Sequence, residues 1–104
     1  HGVVPGVGNV DPAGYVKIFD PVAAGDYKAA RAEQERLTEM FNLIYVGNLS
    51  RMSFGASALG AFKASLKHLG IIEDARMAPP QIALNSYEVA AVIPFLKNAG
   101  LKVK

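Results

Sequence analysis

The chain opens with the stretch HGVVPGVGNVDP, residues 1–12, in which a short apolar segment leads into a glycine-containing turn. Residues 2–8 predict a β-strand that ends in this turn. Asp11 followed by Pro12 is typical of a helix start, because an acidic side chain caps the first turn and proline fits the first helical position. No later segment has a strand pattern, and a lone strand leaves its backbone groups unpaired. The stretch therefore predicts the last βα unit of an α/β protein whose other strands lie before residue 1.

The rest of the chain has apolar residues at the three- and four-residue spacing of amphipathic helices. This spacing predicts four helices in all, over residues 11–24, 26–46, 53–69 and 86–99. The segment 71–84 contains two adjacent prolines and predicts an extended connector. The expected fold class of this chain is mostly α, with one N-terminal strand followed by about four helices.

Local signals predict how these helices begin and where they bend. Asp26 is placed to cap the second helix, and Asn85 with Glu88 predicts a capping box at the fourth. Pro21 lies inside the first helix and is expected to kink or split it, and Pro94 is expected to bend the fourth.

Large apolar side chains predict the face that each helix turns inward. These are Tyr15, Ile18, Phe19 and Val22 in the first helix, Ala30, Leu37, Met40, Phe41 and Ile44 in the second, Leu59, Phe62, Leu66 and Leu69 in the third, and Val89, Val92, Ile93 and Leu96 in the fourth. The charged side chains of the second helix are expected to face solvent. They include Arg31, Glu33, Glu35 and Arg36.

Composition narrows the classes of function. The chain has 104 residues, of which 51% are hydrophobic and 19% charged, and its formal net charge is +2. These values indicate a globular chain without the basic patch of a nucleic-acid-binding protein. The absence of Cys excludes a disulfide framework and a thiolate nucleophile, and no apolar run reaches the ~18 residues of a membrane span. A cytoplasmic protein is expected, with no nucleic-acid or membrane partner and no cofactor or metal.

Four segments occur in an order that is typical of one enzyme family. They are the strand and turn at 1–10, the junction AGDYKAAR at 24–31, the helix segment KASLKHLGI at 63–71 and the helix end NAGL at 98–101. Together they resemble the C-terminal part of the dihydrodipicolinate synthase / N-acetylneuraminate lyase family of pyruvate-dependent class I aldolases.

The resemblance implies a (β/α)8 TIM barrel with appended C-terminal helices. Residues 1–25 would then be the last βα unit of the barrel, and residues 26–104 the C-terminal helical extension. The family's chemistry is that of a lyase or aldolase that joins or cleaves pyruvate and an aldehyde through a Lys Schiff base. The resemblance places that Lys upstream, together with a Tyr that relays protons. None of Lys17, Lys63 or Lys67 stands at the position that matches the Schiff-base Lys. No catalytic residue is therefore expected in this chain, which alone should be inactive.

The resemblance places two substrate-binding residues in the chain, Val4 and Gly6. Val4 matches an aliphatic residue of the eighth strand whose backbone lies beside bound pyruvate, in accord with the position of active sites in barrels. Pro5 departs from the family, which usually has Ser there, and indicates a divergent member rather than a standard enzyme of lysine biosynthesis. The implied partners are pyruvate or another 2-oxo acid, an aldehyde, and further copies of the chain in a homo-oligomer, dimer or tetramer.

Several alternatives remain open from the sequence. N-acetylneuraminate lyase and 2-keto-3-deoxy-sugar-acid aldolase are alternative activities within the same family. Asn9 could hydrogen-bond a substrate or the turn backbone. Gly6 and Gly8 precede a helix as in phosphate-binding loops, but the third glycine of that pattern is missing. The chain could also be a non-catalytic helical module whose exposed apolar faces mediate self-association. If it folds alone, its unpaired strand edge is expected to drive pairing with a second copy.

Overall fold

The structure, a computed structural model, describes residues 1–104 and contains helices but no strand. The α-helices are α1 (Pro12–Ala23), α2 (Tyr27–Phe41), α3 (Phe54–His68), α4 (Ser86–Ala91) and α5 (Ile93–Asn98), and two 3-10 turns lie at Val7–Asn9 and Asn42–Tyr45. The mostly α fold class is confirmed. The strand predicted over residues 2–8 is not formed, because this chain offers no second strand with which it could pair.

Polar side chains cap the helices where the sequence predicted them. Asp11 accepts a hydrogen bond from the backbone N–H of Gly14 at 3.1 Å, and Asp26 accepts one from Ala29 at 3.1 Å. The capping box at the start of α4 is also formed. Gly25, between α1 and α2, has a φ of +80°, a left-handed conformation that glycine adopts without strain and that reverses the chain.

The two internal prolines behave differently. The fourth predicted helix is interrupted next to Pro94, so that residues 86–98 form α4 and α5, which meet at Val92. The prediction that Pro21 splits the first helix is wrong, since α1 continues to Ala23. Pro21 stands in the last turn of α1. Two backbone hydrogen bonds close the end of this helix, one from Ala24 N–H to Asp20 O at 3.0 Å and one from Asp26 N–H to Pro21 O at 2.8 Å.

The core forms between α2, the second 3-10 turn, α3 and the last helices. Its eleven buried residues are Val7, Val10, Leu37, Met40, Leu43, Ile44, Ala61, Ala64, Val92, Leu96 and Ala99. The predicted inward face of α2 is largely correct, because only Phe41 of that set is exposed. On α1, Phe19 and Val22 were expected to face inward but are exposed.

The inward face predicted for α3 is only partly correct, because Phe62 and Leu69 pack against the core but the fully buried residues are others. The helix buries its small residues, which are Ala56, Ser57, Gly60, Ala61, Ala64 and Ser65, while Leu59 is exposed. Small side chains let the α3 backbone approach the second 3-10 turn closely enough for direct bonds. The hydroxyl of Ser57 donates to Ile44 O at 2.6 Å and accepts from Gly47 N–H at 2.9 Å. Large residues at this contact would hold the two backbones apart.

Glu88 is a buried carboxylate that holds α4 against the loop after the second 3-10 turn. It accepts backbone N–H bonds from Asn48 at 2.9 Å and Asn85 at 2.8 Å, and it forms an ion pair with Arg51. Arg51 also donates to Ala83 O at 3.1 Å. Burial opposes the ionisation of Glu88, but the two N–H donors and the Arg51 charge outweigh it and hold the pKa of Glu88 below its ordinary value.

Glu88→Gln is expected to lower the free energy of unfolding by roughly 1.5–3 kcal/mol at neutral pH, because it weakens bonds made by a charged acceptor. Since the folded-state pKa is depressed, the carboxylate contributes fully above its ordinary pKa of 4.5 and loses its contribution as the pH falls through the folded-state pKa. Urea unfolding at neutral and at acidic pH measures the difference in stability between the wild type and Glu88→Gln. This difference should be smaller at acidic pH.

The matched control is Glu35→Gln, since Glu35 is exposed and pairs only with Arg31 along α2. This change should alter the stability by less than about 0.5 kcal/mol at either pH. A Glu88→Gln difference of equal size at both pH values would contradict the role given to the carboxylate.

Candidate functional site

The segment that the resemblance singled out forms a compact structure, here called the N-terminal turn (residues 5–11). Backbone bonds run from Gly8 N–H to Pro5 O at 3.2 Å and from Val10 N–H to Val7 O at 2.9 Å. Val7 and Val10 are buried in the core, with 1% and 3% of their surface exposed. The turn is therefore attached to the helical core, and it is not a free loop.

Val4 directly precedes this turn, and Gly6 lies within it. Val4 is fully exposed and lines an open cleft of about 370 Å³ together with Pro5 and Tyr15. Gly6 lines a different cleft, of about 310 Å³, which is bounded by Tyr15 and α2. The structure of this chain does not bring the two predicted substrate-binding residues into one cleft, although Pro5 and Tyr15 border both.

Packing, and not backbone conformation, opposes a side chain at Gly6. Its φ of −58° and ψ of −52° are ordinary helical values that any residue adopts. A Cβ at this position would lie 3.1 Å from two ring atoms of Phe62 in α3. The ring edge of Phe62 therefore packs directly against the Gly6 backbone.

Asn9 stabilises the turn backbone. Its side-chain amide donates to Gly6 O at 2.9 Å, and its backbone N–H donates to the same oxygen at 3.2 Å. Of the two interpretations open from the sequence, the bond to the turn is therefore the one that the structure contains. The Gly6 carbonyl therefore accepts two hydrogen bonds from one residue, Asn9.

Tyr15 is a residue that sequence reasoning assigned only to the core. It is half-buried, and it borders the clefts on both sides of the turn. Burial and the nearby charge of Asp11 raise the pKa of Tyr15, so the phenol stays protonated at neutral pH and can donate a hydrogen bond to a bound oxygen. The sequence signal that could have identified Tyr15 was its spacing from Asp11, the N-cap residue four positions earlier.

Arg36 ties the turn to the rest of the molecule, although the sequence predicted a solvated side chain. Its guanidinium contacts the carboxylates of Asp11 and Glu33, each at 2.5 Å, and donates to Ala99 O at 2.8 Å. The bond to Glu33 raises the pKa of Arg36, burial lowers it, and Asp11 raises it again, so that the net shift is upward. Arg36 thus joins the start of α1, the middle of α2 and the residue after α5.

Other candidate groups are engaged elsewhere. Lys63 donates to Arg76 O at 2.6 Å, and a ring nitrogen of His68 lies 3.0 Å from Val89 O. The His68 contact joins the end of α3 to α4. No group of three His, Cys, Asp or Glu side chains is arranged to hold a metal ion.

No family model matches the chain, and no curated protein matches it. None of its helices combines the length and apolar character that crossing a bilayer requires. The resemblance therefore rests on the quoted motifs and their order, and the function that it implies is a proposal.

Gly14→Ala tests how tightly the Asp11–Arg36 pair is packed behind the N-terminal turn. A Cβ on Gly14 would lie 2.7 Å from Arg36 Nη2 and 2.8 Å from Asp11 Oδ2. We expect a loss of roughly 1–3 kcal/mol in the free energy of unfolding, as for other overpacked sites. Urea unfolding measures this loss.

Gly55→Ala is the matched control, because Gly55 also lies in the first turn of a helix. Its nearest neighbour for a Cβ is Ser53 Oγ at 3.9 Å. Alanine there should be neutral or stabilise the chain by up to about 1 kcal/mol through helix propensity. Equal effects of the two substitutions would show that the Asp11–Arg36 pair is not closely packed.

Proposed function

We propose that this chain is the C-terminal part of a pyruvate-dependent class I aldolase that resembles dihydrodipicolinate synthase. Residues 1–25 would supply the last βα unit of a (β/α)8 barrel, and residues 26–104 the appended helices. The order and spacing of the four sequence motifs support this proposal. The described helices agree with it, since α1 follows the N-terminal turn directly and all later elements are helical.

The observation that carries the proposal is the uncovered apolar surface along the first 22 residues. Val3 and Val4 are 71% and 104% exposed, and on α1 Val16 and Phe19 are 56% and 63% exposed. Residues 1–4 also make no backbone hydrogen bond within the chain. A barrel would pair the backbone of this segment with strands on both sides, and it would cover the exposed apolar face of α1.

In this proposal the chain forms one wall of the substrate pocket. The backbone at Val4 would lie beside the 2-oxo acid, at the end of the last strand, with the turn at Gly6 closing the pocket behind it. An upstream Lys would attack the keto carbon and lose water to form an imine, which then acts as the electron sink for making or breaking the carbon–carbon bond. The chain would not itself supply a catalytic group. The cytoplasm is the proposed compartment.

The aldehyde partner separates the members of this family. An N-acetylneuraminate lyase or a 2-keto-3-deoxy-sugar-acid aldolase would use the same imine with a sugar-derived aldehyde. Pro5, where the family usually has Ser, removes both a hydroxyl and a backbone donor from the pocket wall. This loss favours a divergent substrate over the standard lysine-pathway reaction.

Borohydride trapping with pyruvate tests the proposal. The full-length gene product should gain one reduced pyruvyl group in its intact mass, and peptide mapping should place the group on a Lys outside the 104-residue chain. The 104-residue chain by itself, treated in parallel, should gain none. An unmodified full-length protein at saturating pyruvate would refute the imine chemistry.

A second candidate function is a non-catalytic module that associates with itself, and a separate surface favours it. An aromatic patch, defined by Phe41, Tyr45, Leu49 and Phe54, is exposed at the end of α2 and the start of α3. The rings of Tyr45 and Phe54 lie 5.6 Å apart. Exposed apolar clusters of this kind are typical of protein interfaces, and the same patch could join subunits in a homo-oligomeric enzyme.

Sedimentation velocity distinguishes self-association from a monomer. If the patch is an interface, the 104-residue chain should sediment as a discrete dimer, and Phe54→Glu should shift it to monomer because a charge would be buried there. Tyr87→Glu is the control, since Tyr87 is an exposed aromatic residue outside the patch. A monomer at all concentrations would count against this module.

A further inference from the structure

We infer that Phe62 is a positioning residue for the substrate wall, because its ring sets where the N-terminal turn places Gly6 and, through it, Val4. The inference rests on the proposed function, in which these two residues line the pocket. Phe62 belongs to α3, 56 positions after Gly6 in the sequence. The appended helices would then govern the shape of the pocket as well as brace the barrel.

The contact between Phe62 and Gly6 is specific. Two ring atoms of Phe62 would lie 3.1 Å from a Cβ on Gly6, and, apart from its chain neighbours, no other heavy atom comes within 4 Å of that position. A distance of 3.1 Å is shorter than ordinary contact, so an added methyl group must displace either the ring or the turn by a few tenths of an ångström. The ring of Phe62 therefore limits how closely the N-terminal turn can lie against α3.

The far end of the turn cannot absorb such a displacement. Asp11 is buried and bonded to Arg36, and Val7 is buried beneath the turn. Val10 and Asp11 both donate to Val7 O, at 2.9 and 3.0 Å. A displacement at Gly6 is therefore transmitted toward residues 1–5. Within this segment only one backbone hydrogen bond, from Gly8 N–H to Pro5 O, opposes the movement.

Phe62 itself is held on one side only. It packs partly against the core, and its other side lines an apolar groove of about 320 Å³ with Leu59, Leu66 and Met77. The groove gives space for a replacement side chain at position 62. This arrangement makes a paired change of size at positions 6 and 62 a clean experiment.

The experiment measures the pyruvate concentration that gives half-maximal borohydride trapping in the full-length protein. Gly6→Ala should raise it on the order of 10-fold with an unchanged plateau, because small misplacements of a pocket wall weaken binding steeply. Phe62→Leu alone should raise it a few-fold, since the turn loses its support. The double variant should return to within about 3-fold of wild type, because the alanine methyl occupies the space left by the ring.

The control pair is Gly6→Ala with Leu59→Ala, because Leu59 lines the same groove but does not reach Gly6. This pair should show no recovery. Thermal unfolding of each variant separates the effect on pyruvate from an effect on stability, and recovery of half-saturation without recovery of the melting temperature would identify positioning.

Each outcome decides between the two proposals. If the unsubstituted protein traps no pyruvate, the proposed function fails, and the inference fails with it. Two results would refute the inference alone, in a protein that does trap pyruvate. In the first, Gly6→Ala leaves the half-saturating pyruvate concentration unchanged. In the second, adding Leu59→Ala to Gly6→Ala restores that concentration as well as adding Phe62→Leu does.

Discussion

The contacts of the Arg36 guanidinium are the constraint on which the rest of the structure depends. One side chain bonds to Asp11, which lies 25 residues earlier, and to the carbonyl of Ala99, which lies 63 residues later. Two carboxylates surround one cation, and this pairing offsets the cost of placing the charges in a partly buried site. The start of α1, the middle of α2 and the end of α5 are thereby fixed relative to one another.

A second constraint is the small-residue face of α3, and it explains the position of Phe62. Ser57 and Gly60 allow the helix backbone to lie close to the second 3-10 turn and to Leu84. Since one face of the helix is committed to this close approach, its large apolar side chains point to other neighbours. Phe62 consequently meets the backbone of Gly6, and Leu59 remains exposed.

The sequence predicted those features whose causes lie within a few residues of one another. Asp11, Asp26 and Asn85 were recognised as caps because each accepts from an N–H three residues later. Arg36 was misjudged because two of its partners are remote in sequence, and a charged residue on a polar helix face ordinarily stays in water. The inward face of α3 was misjudged because the prediction was based on the large hydrophobic residues. In the structure, small residues face the second 3-10 turn, and Ser57 forms hydrogen bonds there.

The predicted strand was misjudged for a different reason: strand geometry depends on a pairing partner, whereas a capped helix completes its bonds locally. The turn that follows it, with its side-chain bond from Asn9 to Gly6 O, is built from neighbouring residues and is fully formed. Among the site residues, Gly6 could be singled out from the resemblance. Its contact with Phe62 could not, because nothing local links the two positions.

The helical part of the chain and residues 1–4 differ in how their polar groups are paired. Throughout the helical part, no buried polar side-chain atom lacks a hydrogen-bond partner. Residues 1–4 in contrast have unpaired backbone groups and exposed valines. Pro5 has no N–H, so strand pairing through a donor at that position is excluded. In the proposed barrel, a strand formed by residues 1–4 would end where the N-terminal turn begins, and the end of a strand is where a barrel enzyme holds its substrate.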